Sequence, residues 1–434
     1  MQGPRPRSGE RAALVGLMTG ATRRLDAERS IEELEGLAEA AGARVVLRVL
    51  QERPRPDPAT FLGSGKVDLL TQAADEADVE IIVFDNELSP AQLRELGARL
   101  QRKVVDRTQL ILDIFARRAR TREGKLQVEL AQLKYLLPRL VGMGTEMSRL
   151  GGGIGTRGPG ETKLEVDRRK IRVRIHGLEQ EIDTVRRRRA QLRDRRHKTD
   201  VPTVALVGYT NAGKTTLFNR LTKAEAEASD ALFVTLDPLV RQVMLPDRRP
   251  LLLSDTVGFI DRLPHTLVAA FRATLEETAD ADLVLHVIDA SNPEHERQAA
   301  AVNRVLEEVG ATTVPRLEVY NKIDRLNPDE QRRLREADPS AMLISAATGR
   351  GCDELLDSVA ARLSLDQQRV RVSLDLAQPE QAERLGWIYR HGRVHSQTSA
   401  GDRVDIEVDL PRRIVGQVSS LARAATNPRR TRRA

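Results

Sequence analysis

The sequence is poor in cysteine and has no long apolar run, and each absence excludes a class of protein. Cys352 is the only cysteine among 434 residues, so the chain can form neither an internal disulfide nor a cysteine-based metal cluster, which is typical of a reducing compartment. We expect Cys352 to be a small buried residue rather than a catalytic thiol. No apolar run approaches the roughly 18 residues that would span a bilayer, and the N-terminal segment MQGPRPRSGER lacks the apolar core of a signal peptide. The sequence therefore predicts a soluble intracellular protein without a membrane span.

Basic residues outnumber acidic ones, which gives a formal net charge of +7 and a pI near 9.7. The excess is concentrated in the run RRRRAQLRDRRHK, from Arg186 to Lys198, and in the final residues NPRRTRRA. Such blocks repel themselves unless phosphate groups neutralise them, so nucleic acid is the first candidate partner. A solvated helix face and a disordered tail are the alternative interpretation.

Hydrophobic patterns divide the chain into four regions. Residues 1–120 alternate short apolar runs such as RVVLRVL and EIIVFD with helical stretches, which predicts a small N-terminal α/β domain. Residues 201–366 alternate strand and helix from TVALVG onward, which predicts a doubly wound, parallel α/β domain. Residues 367–434 combine VRVSLDL, an amphipathic helix and DRVDIEVDL, which predicts a small C-terminal α+β domain with a basic tail.

Residues 121–200, the remaining region, carry apolar residues at heptad spacing. The first set is Leu126, Leu130, Leu133, Leu137 and Leu140, at intervals of 4-3-4-3. A second set runs from Ile171 to Leu192, so we predict two helices that face each other as an antiparallel coiled-coil hairpin. The connection VGMGTEMSRLGGGIGTRGPGETK is rich in glycine, which lets a backbone approach a ligand closely, and it carries basic residues. We interpret the hairpin as an arm whose mobile basic tip contacts nucleic acid; a core-packing helix pair with an ordinary loop is the alternative.

A phosphate-binding loop is predicted between the apolar strand TVALVG and the helical stretch TTLFNRL. The eight residues from Gly208 to Thr215 read G-x-x-x-x-G-K-T. Such a loop points backbone N–H groups at nucleotide phosphates, and the helix that follows adds its positive N-terminal dipole. Lys214 would reach the β- and γ-phosphates, and the Thr215 hydroxyl would bind Mg²⁺. The predicted contacts are Gly208, Tyr209, Thr210, Asn211, Ala212, Gly213, Lys214, Thr215 and Thr216.

The base is selected by a second motif, NKID, which follows the apolar strand RLEVY. A carboxylate only accepts hydrogen bonds, and guanine offers two adjacent donors at its N1 and N2 edge whereas adenine does not. Asp324 therefore selects GTP, with the Lys322 stem packed along the base. Asn321 and Ile323 complete the motif, and the segment Ser345, Ala346 and Ala347 supplies a backbone contact to the guanine O6.

Two further segments are predicted to respond to the γ-phosphate. In DTVGF, Asp255 can hold Mg²⁺ through water and the Gly258 N–H can contact the γ-phosphate. In LFVTLDP, Thr235 is the candidate threonine that closes on Mg²⁺ only when the γ-phosphate is present. The predicted contacts in these segments are Phe233, Val234, Thr235, Leu236, Asp237, Asp255, Thr256, Val257 and Gly258.

Taken in order, these motifs resemble the HflX family of translation-factor-class GTPases. The resemblance covers nearly the whole chain and includes PATFLGSGKVDLL, the stretch from Val104 to Leu140, the linker GGGIGTRGPGETKLEVDRR, GYTNAGKTTLFN, TLDP, DTVGFI and NKID. The resemblance implies a cytoplasmic GTPase that binds the large ribosomal subunit and separates stalled or idle ribosomes. Some members have a second nucleotide activity in the N-terminal domain; here its only support is LGSGK, which suits a turn before a helix equally well. The chain departs from the family at Leu239 and Val240, where threonines are frequent.

A water-orienting glutamine, which many GTPases carry directly after the glycine of DTVG, is absent because that position is Phe259. Either a partner completes the site or another charge substitutes. Asn211 corresponds to the residue with which some related GTPases hold K⁺ in place of an arginine finger; the alternative is an asparagine that caps its own turn. The candidate catalytic residues are thus Lys214, Thr235, Gly258 and Asn211.

We therefore expect a monomeric GTPase, stimulated by ribosomes, that uses GTP and Mg²⁺, with K⁺ as a candidate additional ion, and that contacts the large ribosomal subunit and its RNA. A ribosome-assembly or RNA-modification GTPase is one alternative, because it would share the nucleotide site. A nucleotide-gated adaptor whose hydrolysis is incidental is another, because of the absent glutamine.

Overall fold

The computed structural model describes residues 9–20, 23–140, 159–198, 201–224, 232–233, 235–262, 278–364 and 367–411. The first part of the chain contains β1 (Arg11–Met18), α1 (Arg24–Ala40), β2 (Arg44–Glu52), α2 (Ser64–Glu76), β3 (Ile81–Phe84), α3 (Pro90–Leu100), β4 (Lys103–Asp106), α4 (Arg107–Arg118), α5 (Arg122–Arg139) and α6 (Pro159–Lys198). The second part contains β5 (Thr203–Gly208), α7 (Lys214–Thr222), β6 (Leu239–Met244), β7 (Pro250–Asp255), β8 (Leu283–Asp289), α8 (His295–Glu308), β9 (Arg316–Asn321), α9 (Pro328–Ala337), β10 (Met342–Leu343), α10 (Cys352–Ser364), β11 (Gln367–Asp375), α11 (Pro379–His391), β12 (Arg393–Ala400) and β13 (Arg403–Pro411). Within these ranges, no helix combines the length and the apolar character needed to cross a bilayer.

The N-terminal unit is a parallel four-stranded sheet in the order β2-β1-β3-β4. Strand β1 reads RAALVGLM and six of its eight residues are buried in succession, as expected for a parallel sheet that is covered on both faces. Helices α2 and α3 contribute to the core on one face, and α1 and α4 to the core on the other. The predicted small α/β domain is therefore confirmed, and LGSGK leads into α2 with Gly63 at the N-cap.

The arm helices α5 and α6 pack on each other, as the heptad pattern predicts. Their contact is a small cluster built on Leu126, Leu130, Leu178 and Ile182. The sequence placed the loop through Lys163, but α6 already begins at Pro159, so the end of the Gly-rich connection is helical. The glycines at 151–153, the side chains of 189–198 and the tail 412–434 lie outside the described residues.

The second sheet has the order β10-β9-β8-β5-β7-β6. Its strands are parallel except β6, which pairs antiparallel with β7. The expectation of an all-parallel sheet was therefore wrong at this edge, because only five residues separate β6 from β7 and a short connection reverses the chain. Leu239 and Val240, where the chain departs from the family pattern, begin this edge strand. Cys352 begins α10 and is buried in the adjoining core, and burial raises the pKa of its thiol, which confirms the expected small buried residue.

The C-terminal unit is an antiparallel sheet in the order β11-β13-β12, packed against α11. The period-two pattern of β13 is confirmed, since Val404, Ile406, Val408 and Leu410 are all buried. Strand β12, which reads RVHSQTSA, was not predicted. Its sequence is mainly polar, so no alternation of apolar residues marks it as a strand.

One apolar core is shared between the N-terminal unit and the second sheet. It joins residues of α1, α4 and α5 to residues of β5, β8 and α8. At its centre Phe115 of α4 meets Phe233 edge to face, with ring centroids 4.6 Å apart and an interplanar angle of 85°. The four-stranded and the six-stranded sheet are therefore packed together around the loops that follow β5 and β7.

Candidate functional site

The phosphate-loop motif lies between β5 and α7, in the strand–loop–helix context that the sequence predicts. Gly213 has a φ of +90°, and a Cβ added there would lie 2.2 Å from Nδ2 of Asn321, so only glycine fits. The Lys214 ammonium group is buried and donates to the carbonyl oxygens of Gly208 (3.0 Å) and Tyr209 (2.9 Å). Burial lowers the pKa of Lys214 to about 8, although nearby Asp255 acts in the opposite direction.

Three side-chain oxygens from three separate segments converge beside this lysine. Oγ1 of Thr215 lies 2.8 Å from Oδ2 of Asp255 and 2.7 Å from Oγ1 of Thr235, and Thr235 in turn donates to Asp255 at 3.1 Å. Oδ1 of Asp255 is buried and finds no hydrogen-bond partner among the described residues, and burial raises the pKa of this carboxyl group. Hydroxyl and carboxylate oxygens are the ligands that Mg²⁺ prefers, so these residues fit a magnesium ion.

The NKID motif connects the phosphate loop to the neighbouring strand ends through hydrogen bonds. The Asn321 amide donates to the carbonyl of Ala212 at 2.8 Å and accepts from the N–H of Ala346 at 2.9 Å. The Lys322 ammonium pairs with Asp289 at 2.8 Å, a partner that the sequence did not reveal. Asp324 is exposed in the short 3₁₀ helix Ile323–Arg325, where its carboxylate is accessible to a ligand.

These elements line a common cavity of about 380 Å³, a volume within the usual range for small-molecule sites. The predicted residues that line it are Thr210, Asn211, Gly213, Lys214, Thr215, Thr216, Phe233, Thr235, Thr256, Gly258, Asn321, Lys322, Asp324, Ala346 and Ala347. Arg325 also lines it and was missed. The other described candidates lie outside the lining: Gly208, Tyr209, Ala212, Leu236, Asp237, Asp255, Val257, Ile323 and Ser345. Val234 lies outside the described residues.

Phe259, at the position of the absent glutamine, is buried in the shared core. Its backbone N–H donates to Gly208 O at 3.1 Å, and its carbonyl accepts from Thr210 N at 2.7 Å. The side chain therefore stabilises the fold and cannot orient water. Asn211 has a φ of +59° and is exposed at the rim of the cavity.

A polar network beneath the phosphate loop was not predicted. The Tyr209 hydroxyl donates to Glu33 of α1 and accepts from the N–H of Asp261 at 2.7 Å. Burial, followed by the Glu33 carboxylate, raises the pKa of Tyr209. Arg107 of α4 binds Glu33, Asp85 (3.1 Å) and the carbonyl of Asp261 (3.1 Å). A larger cavity of about 620 Å³ adjoins this network between α1 and the phosphate loop.

The fold and the site together define the class of protein. A phosphate loop after β5, an oxygen cluster supplied by three segments, and an N-K-x-D motif at the end of β9 all meet at the carboxyl edge of a doubly wound sheet, where such sheets bind their ligands. This is the arrangement of a P-loop GTPase.

Comparisons with known proteins identify the family. Four family models match in succession: GTP-binding GTPase N-terminal (28–116), GTP-binding GTPase middle region (118–196), 50S ribosome-binding GTPase (203–322) and HflX C-terminal domain (332–427). A GTPase HflX from Lacrimispora saccharolytica is 46% identical over 415 residues, covering 96% of this chain and 97% of that protein. The GTPase HflX of Escherichia coli is 49% identical over 359 residues, covering 82% of this chain and 84% of that protein. The chain therefore belongs to the HflX family of GTPases and is a GTPase.

Among solved structures, a GTP-binding protein from the archaeon Sulfolobus solfataricus in complex with GDP is similar over 81% of this chain and 98% of that chain. Its sequence identity is 25% and the TM-score is 0.43.

Proposed function

We propose that this protein uses GTP hydrolysis to bind the large ribosomal subunit and to promote the dissociation of stalled or idle ribosomes. The target is supported by the match of residues 203–322 to a family described as 50S ribosome-binding GTPase. The nucleotide cycle is supported by one observation in particular, the contact of Thr235 with Thr215 and Asp255. In GTPases, a switch segment is ordered on the phosphate loop by the γ-phosphate and Mg²⁺ and released on hydrolysis.

The predicted contact residues have proposed roles in this reaction. Lys214 binds the β- and γ-phosphates, and Gly258 N–H contacts the γ-phosphate. Thr215 and Thr235, with Asp255 through water, hold Mg²⁺, which when bound neutralises developing charge on the phosphates. Asp324 accepts hydrogen bonds from the guanine edge. The remaining predicted contacts position the nucleotide, and Asn211 is the candidate K⁺ ligand.

The arm supplies a surface for ribosomal RNA. Along α6, Arg169, Arg172 and Arg188 are exposed, and exposed arginines neutralise phosphate groups in a salt-dependent manner. A monomer in the cytoplasm is the proposed working form.

The decisive experiment measures GTP turnover by the full chain with and without purified large ribosomal subunits, in potassium and then in sodium buffer. We expect strong stimulation by the subunit in potassium, because Phe259 cannot orient water and a partner or ion must complete the site. Loss of turnover in sodium would assign the ion to Asn211, and Asn211→Ala should then show equal turnover in both buffers. Absence of stimulation in either buffer would contradict the proposal and favour an adaptor or another RNA target.

A further inference from the structure

The segment that carries Thr235 is attached to the N-terminal unit on both sides. Two residues before Thr235, Phe233 packs against Phe115 of α4, and both rings are buried. Two residues after Thr235, Asp237 reaches the start of α5. Thr235 therefore lies between two anchors that belong to another part of the chain.

The Asp237 anchor is a set of hydrogen bonds to a helix N-terminus. Its carboxylate accepts from the N–H groups of Arg120 and Thr121, both at 2.8 Å, and from the Thr121 hydroxyl. Thr121 is the N-cap of α5 and its Oγ1 accepts from Gly124 N at 3.0 Å. A carboxylate at this end of a helix satisfies N–H groups that have no intrahelical partner and is attracted by the helix dipole. The contact is therefore charge-assisted and directional.

Gly124 provides the space for this contact. A Cβ added to Gly124 would lie 2.3 Å from Oδ1 of Asp237, so any side chain there would displace the carboxylate. Glycine within a helix otherwise costs about 1 kcal/mol relative to alanine. The glycine in the first turn of α5 therefore leaves space for Asp237, a residue 113 positions further along the sequence.

We propose that Asp237 is a positioning residue for hydrolysis: by binding the N-terminus of α5 it holds Thr235 beside Thr215 and Asp255. This inference rests on the proposed role of Thr235 in Mg²⁺ and γ-phosphate binding. The same contact couples the nucleotide site to the arm, because α5 is the first helix of the arm. Whatever stabilises Thr235 in place also stabilises the start of the arm, and the effect must be reciprocal for binding equilibria.

The contact can be broken from the arm side without changing any residue of the nucleotide cavity. Gly124→Ala pushes the Asp237 carboxylate away, while alanine favours the helix itself. The matched control is Gly97→Ala in α3, where an added Cβ meets no atom within 4 Å. The full chain is titrated with GDP and with the non-hydrolysable analogue guanosine 5′-(β,γ-imido)triphosphate, each in the presence of Mg²⁺.

For Gly124→Ala we expect the affinity for the triphosphate analogue to fall on the order of tenfold, with GDP affinity unchanged and more Mg²⁺ needed for half-saturation. Asp237→Asn should behave in the same way, because it removes the negative charge at the N-terminus of α5 and the oxygen that accepts from the Thr121 hydroxyl. Thr121→Ser, which keeps the hydroxyl, should bind as the wild type does. Gly97→Ala should also be unchanged.

An unchanged ratio of analogue to GDP affinity in Gly124→Ala and Asp237→Asn would overturn the coupling while leaving the proposed function intact. Equal losses for both nucleotides would also overturn it, since they indicate a general structural defect. A wild-type protein that binds neither nucleotide would overturn the proposed function, and this inference with it.

Discussion

Lys214 is a basic residue whose side chain is buried. Its pKa is lowered to about 8 because burial removes water from the ammonium group. An unfolded chain would hold the proton up to about pH 10.4. Between these two pKa values the unfolded state binds more protons, so this residue's contribution to the free energy of unfolding rises as the pH increases through that window. The cost of burying the charge is fully present below pH 8.

We predict that nucleotide binding at pH 8.5 is accompanied by proton uptake, because phosphate groups favour the charged form of Lys214. Isothermal titration with GDP, in two buffers that differ in ionisation enthalpy, should give different apparent binding enthalpies at pH 8.5. The difference should be smaller at about pH 7.2, which lies below the pKa of Lys214 and above the second phosphate pKa of about 6. Affinity should decline as the pH is raised above about 8. Identical enthalpies in both buffers at pH 8.5 would contradict this assignment.

At the residue scale, the sequence predicted those parts of the site whose residues are close together in the chain. Gly213, Lys214 and Thr215 are neighbours in one turn, so their spacing alone implies a shared site. The hydrogen bond between Tyr209 and Glu33 joins residues 176 positions apart. Nothing in the neighbourhood of either residue indicates the other, because only the packing of two sheets brings them together.

Helix α6 is the element on which the proposed RNA contact depends. Arg169 and Arg172 are exposed on it. We predict that the double variant Arg169→Glu and Arg172→Glu weakens binding to large ribosomal subunits. The slope of log affinity against log salt concentration should also become shallower by about two, as expected for the loss of two phosphate contacts. GDP binding should be unaffected, because neither residue lines the nucleotide cavity.

The control for this variant is Arg332→Glu with Arg335→Glu on α9, which changes the same charge on a helix away from the arm. Sedimentation with large subunits at several salt concentrations measures the binding of the two double variants. Equal weakening by the two double variants would mean that net charge, rather than the arm, determines binding.

At the element scale, prediction succeeded where apolar residues repeat and failed where they do not. Strand β2, which contains RVVLRVL, and strand β13 carry clear apolar patterns, and both were predicted. Strands β6 and β12 both lie at sheet edges. Strand β12 is mainly polar, and in β6, which reads LVRQVM, the apolar residues do not alternate with polar ones, so period-two hydrophobicity could not reveal either strand. The start of α6 at Pro159 was also missed, because the glycines before it obscured the boundary.

The whole molecule is held together by Arg107 as well as by the shared apolar core. This arginine is buried and binds Glu33 and Asp85, which belong to the N-terminal unit, and the carbonyl of Asp261, which follows DTVGF. Removing this arginine would leave Glu33 with the Tyr209 hydroxyl alone and Asp85 with the more exposed Arg262, at 3.3 Å, as its cation, so the two buried carboxylates would lose their main compensating charge.

We predict that Arg107→Met lowers the free energy of unfolding by about 3–5 kcal/mol. The exposed pair of Arg99 with Glu95 provides the control, and Arg99→Met should cost less than about 1 kcal/mol. Denaturant titration followed by circular dichroism compares the two. Similar losses for both variants would show that the buried network does not hold the two sheets together.

The core shared by the two sheets also has a consequence for how the chain is made. Phe115 leaves the ribosome well before Leu306, yet both belong to one apolar core. At typical synthesis rates of about 5–20 residues per second, the N-terminal sheet waits roughly 10–40 seconds for its covering helix α8. During that interval the apolar face around Phe115 is exposed to solvent and can bind other apolar surfaces. Biosynthesis of this protein should therefore depend on chaperones that bind nascent chains, and expression at lower temperature or with extra chaperone should raise the soluble yield.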